Sequence, residues 1–142
     1  METNSQAYLQ YRKTSIETTS PGRLLLMLLN GAIKSLNNAK IAINNNDMNK
    51  AHVSIVMVQE IVAELMSTLK MEYEISHNLM ALYEYFLQQL IAANIKKDTA
   101  IIDEILDYFN QMYETWEEAV KNLGPNQAAV PNHSLKKVNI SG

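Results

Sequence analysis

The 142-residue chain contains no cysteine, three prolines and four glycines. Without cysteine there is neither a disulfide framework nor thiol chemistry, which fits a reducing compartment. No proline or glycine lies between Leu36 and Leu123, so a long stretch is free of strong helix breakers. Lysine and arginine never run longer than two in a row, and the net charge is −3. The clustered basic face that a nucleic-acid partner requires is therefore missing. The longest apolar run, Leu24 to Leu29, is too short for a secretory leader and far too short to span a bilayer. These absences predict a cytoplasmic protein with no nucleic-acid partner and no membrane insertion.

Motifs of chemistry are scarce as well. There is no glycine-rich phosphate loop and no Ser/His/Asp arrangement with motif support. Glu74-Ile75-Ser76-His77 is a Glu-x-x-His unit of the kind that ligates iron or manganese in helical bundles. Such sites need two units and two further glutamates, and here only one unit occurs, at a helix end. His52 is preceded three residues earlier by Asn49 instead of a glutamate. The sequence predicts no catalytic residues, no metal and no cofactor.

What is present is helical periodicity. Apolar residues make up 47% of the chain, enough for a real core in one domain. Ser20 is a helix-capping residue, and Pro21 suits the first helical position because its missing N–H would be unpaired there anyway. A helix follows from Pro21 to about Ile43, with Leu25, Leu28, Ala32, Leu36, Ala39 and Ile43 in its core stripe. Its first turns are apolar around the whole circumference, so they are covered on more than one side. The turn at 44–47 leads to a second helix over Met48–Leu69, capped by Asp47, with Ala51, Ile55, Val58, Val62, Leu65 and Leu69 inward. A third helix over Ile75–Ile95 turns Ile75, Leu79, Leu82, Phe86, Leu90 and Ala93 inward. Asp98 caps a fourth, which carries Ile102, Ile105, Phe109, Met112, Trp116, Val120 and Leu123 and stops at Gly124-Pro125. Acidic residues on this helix, Asp103 to Glu118, make a solvated face.

Four helices with short connections predict an all-α, antiparallel up-down-up-down four-helix bundle. Residues 1–19 read as a mobile N-terminal arm with Tyr8 and Tyr11 as aromatic anchors. Residues 20–124 are the bundle, and residues 125–142 are a flexible, disordered tail. Some apolar residues fall outside the predicted core. They are Val53, Val56 and Met57 on the second helix, and Met80, Tyr83, Leu87 and Ile91 on the third. Leu26 and Leu29 join them from the all-apolar start of the first. Scattered apolar surface residues are ordinary singly, but this spacing also suits a groove for a partner helix.

Several stretches, in this order, resemble the FliS family of flagellar export chaperones. They are Tyr8-x-x-Tyr11, Ser20-Pro21-Gly22-x-Leu24-Leu25-Leu26-Met27-Leu28, Asn30-Gly31-Ala32-Ile33, Ala93-Asn94-Ile95-Lys96-Lys97-Asp98 and Trp116-Glu117-Glu118-Ala119. Arg23, Leu29 and Asn30 stand where the family commonly has an acidic residue, a tyrosine and an aspartate. The resemblance implies a non-enzymatic bundle that binds the C-terminal segment of flagellin in the cytoplasm. It would prevent premature polymerisation and present flagellin to a component of the flagellar type III export gate. It also implies that the arm bearing Tyr8 and Tyr11 covers part of the apolar surface when no client is bound. The residues alone leave open a self-associating structural or regulatory bundle without a flagellin client. A weak homodimer and a regulator of flagellin synthesis are further partners left open.

Overall fold

A computed structural model describes the backbone of residues 21–127 and the side chains of residues 21–122. Four helices occur in it: α1 (Pro21–Asn44), α2 (Met48–Ser67), α3 (Glu74–Lys96) and α4 (Thr99–Gln127). The described residues contain no strand. Helix α1 packs on α2 and α4, and α3 packs on α2 and α4, which closes a four-membered ring. Individual contacts fix the directions. Late α1 meets early α4 at the Lys40–Asp103 ion pair. Early α2 meets late α3 at His52 and Asn94, 2.9 Å apart. Mid-α3 meets early α4 where Gln89 donates to Glu104 at 3.0 Å. The bundle is antiparallel throughout, as the short connections require.

Local chemistry sets the helix ends. The Asp47 carboxylate accepts the Lys50 backbone N–H at 3.1 Å and caps α2. Asp98 serves α4 in the same way, accepting the Ala100 N–H at 2.9 Å. Two residues reverse the chain in the left-handed region, Asn46 at φ 61° and Lys97 at φ 51°. The residue after each returns a hydrogen bond to the helix: Asp47 N–H to the Ala42 carbonyl at 2.8 Å, and Asp98 N–H to the Ala93 carbonyl at 3.3 Å. At the far end α4 continues through Gly124 and Pro125 to Gln127, beyond the stop the sequence predicts. Proline removes one i→i−4 bond, and so near the terminus little helix remains to be disturbed.

The core runs the length of the ring. Leu36, Ile55, Leu65, Phe86, Leu90, Ile105 and Phe109 are wholly buried. Phe86 is its aromatic hub, 4.9 Å from Phe109 and 5.5 Å from Tyr108 between ring centroids. Tilted pairs of this kind contribute about 0.5–1.5 kcal/mol beyond their buried area.

Two predicted surface residues belong to this core. Leu29 is fully buried, and Tyr83 is buried within the same cluster. The α3 stripe is Leu79, Tyr83, Phe86, Leu90 and Ala93, a four-three-four-three spacing. Tyr83 therefore takes the central place assigned to Leu82, which is half-buried at the edge. Ile43, Leu69 and Ile75 likewise pack from the edge, whereas Ile61 and Ala42 are core.

Candidate functional site

Interhelical contacts show which flank of each helix looks toward which neighbour. On α3, Asn94 meets His52 of α2, while the Tyr85 hydroxyl donates to Glu104 of α4 at 2.7 Å. At about 100° per residue, Leu87, Met80 and Ile91 fall within about 60° of Asn94, on the α2 flank. On α2, His52 marks the flank toward α3. Met57 marks the flank toward α1, because its sulfur accepts the Ser35 hydroxyl at 3.2 Å. Val56 and Met66 lie within about 40° of His52, and Val53 within about 40° of Met57.

The predicted residues therefore do not form one surface. Val56, Met80, Leu87 and Ile91 share the outer groove between α2 and α3. Val53 and Met57 line the α1–α2 junction instead, with Met57 packed against the core. Leu26 lies within about 40° of Lys40, on the α4 flank of α1. Leu29 and Tyr83 are interior. Tyr8 and Tyr11 lie outside the described residues, as does the Ser20 cap.

The α2–α3 groove carries a mostly apolar strip, interrupted on α2 by the half-buried Gln59, which lies within about 20° of His52. Val56, Met66, Met80 and Leu87 are half-buried, and Ile91 is 49% exposed. Met66 and Met80 each lie fourteen residues from the His52–Asn94 contact, so the antiparallel register sets them side by side. The strip between contact and methionine pair is about 21 Å long, or four helical turns. Methionine at its end gives an adaptable surface. Beyond the His52–Asn94 contact, Met48 and Ile95 are also exposed, Ile95 at 79%.

Polar groups frame the strip. Asn94 Oδ1 accepts the Lys97 ammonium at 2.8 Å, and the Asn94 carbonyl accepts it at 2.7 Å. An ammonium only donates, so the opposite amide atom is Nδ2, which donates to His52 Nδ1. Glu60 and Glu84, both exposed, rim the strip further along. The sequence contains no signal for the His52–Asn94–Lys97 clasp, because its halves are 42 residues apart.

Burial of Tyr83 raises its phenol above the ordinary tyrosine range. The Tyr85 phenol is raised chiefly by its hydrogen bond to Glu104. Among the described residues no three His, Asp or Glu gather where a metal ion could be held. No described helix is long and apolar enough to cross a membrane.

The sequence matches a family of known proteins. The family model described as "Flagellar protein FliS" matches residues 4–123. The flagellar secretion chaperone FliS of Bacillus subtilis (strain 168) is 36% identical over 115 residues, covering 81% of this chain and 86% of its own length. The flagellar secretion chaperone FliS of Campylobacter jejuni is 31% identical over 121 residues, covering 84% and 94%. That of Vibrio cholerae is 27% identical over 114 residues, covering 76% and 84%. With the match spanning the first three helices and most of the fourth, the chain belongs to the FliS family, a family of flagellar secretion chaperones and not of enzymes.

Proposed function

We propose that this protein binds the C-terminal segment of flagellin in the cytoplasm. In doing so it keeps flagellin from polymerising early and delivers it to the flagellar export apparatus. The observation that carries this reading is the apolar strip of the α2–α3 groove. Val56, Met80 and Ile91 are left partly or largely uncovered on the outside of the bundle, and Met66 and Leu87 are partly uncovered where they pack against the edge of the core. A chaperone client of this kind is unfolded before it binds. Ordering it costs conformational entropy, so the receiving surface has to be extended and largely apolar. A four-turn strip supplies such a surface, and an amphipathic helix fills it with anchors at i, i+3, i+4 and i+7.

The arm bearing Tyr8 and Tyr11 is assigned to the same reading as a cover for apolar surface in the free protein. Its deletion should then raise binding of an apolar dye such as ANS to the free protein but not to the complex. The experiment that tests the function is co-purification with full-length flagellin and with flagellin lacking its C-terminal segment. Capture of the first and loss of the second is the expected result. Equal capture of both would move the client site elsewhere on flagellin. Self-association with no flagellin capture would favour the structural bundle instead.

A further inference from the structure

We infer that the α2–α3 groove selects an amphipathic helix with basic residues along both edges of its apolar face. This inference rests on the flagellin reading above and specifies the chemistry of the segment that the groove receives.

Along the groove, between His52 and Met66 on α2 and between Met80 and Asn94 on α3, every aspartate, glutamate, lysine or arginine is a glutamate. The three lysines of the hairpin lie at its ends, Lys50 and Lys96, and in its turn, Lys70. Two of the glutamates frame the apolar strip. Glu60 follows Val56 by one turn on the outer side of α2. Glu84 stands between Met80 and Leu87 on α3, four residues after the one and three before the other. Counting from the His52–Asn94 contact, Glu60 is level with residue 86 of α3. Glu84 is therefore only two residues, about 3 Å along the axis, from that level. The two carboxylates thus stand on opposite rims at the same height, near the middle of the strip.

Neither carboxylate is engaged. Among the described residues, Glu60 and Glu84 make no ion pair or hydrogen bond, in contrast to Glu104, which holds Tyr85 and Gln89. The cation at the clasp, Lys97, is spent on the two oxygens of Asn94. A helix laid over Leu87 and Val56 would bring its flanking side chains against these two glutamates. Basic flanks would be attracted there and acidic flanks repelled, which fixes register and suppresses wrong partners more than it adds raw affinity. The long-range part of the attraction speeds encounter and weakens as salt screens it.

The test measures binding of a synthetic flagellin C-terminal peptide to the full chain at low and high salt. Variants are Glu60→Lys with Glu84→Lys, the milder Glu60→Gln with Glu84→Gln, and the turn control Glu72→Lys. The lysine pair should weaken binding about tenfold, mainly by slowing association, and flatten its salt dependence. The glutamine pair, which keeps the size and exposure of both side chains, should show the same trend at about threefold. Glu72→Lys should leave affinity within about twofold. A peptide whose edge lysines and arginines are exchanged for glutamate should bind the lysine pair more tightly than it binds the unaltered protein. Unchanged affinity and salt dependence in both pairs, with Leu87→Glu abolishing binding, would overturn the charge inference and leave the flagellin reading standing. Failure of the unaltered protein to bind the peptide or full-length flagellin would remove both.

Discussion

His52 Nδ1 and Asn94 Nδ2 meet at 2.9 Å across the α2–α3 junction, and Lys97 fixes the Asn94 amide from the other side. The imidazole must accept at Nδ1, so the neutral ring carries its proton on Nε2. Nitrogen NMR shifts of the His52 ring should report that tautomer at alkaline pH. A ring protonated on Nδ1 would contradict the clasp. Asn94→Ala removes both the interhelical bond and one support of the left-handed Lys97, and should cost about 1–2 kcal/mol in urea unfolding.

Asn46 closes α1 in the left-handed region at φ 61°. Asparagine tolerates that conformation and glycine adopts it freely, whereas a β-branched side chain is strained by it. Asn46→Gly should change stability by less than about 1 kcal/mol, and Asn46→Val should lower it by about 1–2 kcal/mol. Equal melting temperatures for the two variants would show that the turn conformation differs in solution.

Tyr83 gives the fold an alkaline limit. Its phenol is raised by burial above the value it has in the unfolded chain, so the folded state holds a proton that the unfolded state releases. The resulting stability is fully present below about pH 10, the ordinary tyrosine value, and is lost as pH rises beyond it. Melting temperature should therefore fall steeply above about pH 10 in the unaltered protein and less steeply in Tyr83→Phe. Parallel pH profiles for the two would mean that Tyr83 ionises as freely as an exposed tyrosine.

The helices were legible in the sequence because their apolar spacing is regular and breakers are absent between Leu36 and Leu123. Asp47 and Asp98 announced two starts that the structure places within one residue. The face of α3 was less legible. Leu82 and Tyr83 are both large and adjacent, and a tyrosine suits a core or a surface equally, so periodicity alone could not choose between them. Both fit the spacing to Phe86, Leu90 and Ala93, and only the packing of α3 against α2 and α4 buries Tyr83 and leaves Leu82 at the edge. Leu29 was hidden in a run where every residue was apolar. All of the groove's apolar residues but Met66 were legible as surplus apolar positions, in Val56, Met80, Leu87 and Ile91. Its assembly was not, because which flank of α2 faces α3 depends on contacts between residues 42 apart in the chain.

Residues 128–142 add no apolar stripe to the helical pattern. A chain ending at Gln127 should melt within experimental error of the full chain. A loss above about 1 kcal/mol, beyond the usual range for surface changes, would show that these residues pack on the bundle.

The central claim is that the bundle keeps its core and its client surface on adjoining faces of the same helix. Tyr83 and Leu87, one turn and only about 40° apart on α3, mark the boundary between these adjoining faces, the first buried and the second half-buried at the edge of the groove. The most direct measurement pairs melting temperature with flagellin affinity for Tyr83→Glu, Phe86→Ala and Leu87→Glu. Phe86→Ala should cost about 3–5 kcal/mol of folding stability, and Tyr83→Glu should unfold the protein by burying an unpaired charge. Leu87→Glu, at the edge of the core, should lose less folding stability than Phe86→Ala yet bind flagellin at least about thirtyfold more weakly, the equivalent of roughly 2 kcal/mol. A Leu87→Glu protein that unfolds like Tyr83→Glu, or one that folds and binds flagellin with full affinity, would contradict the account.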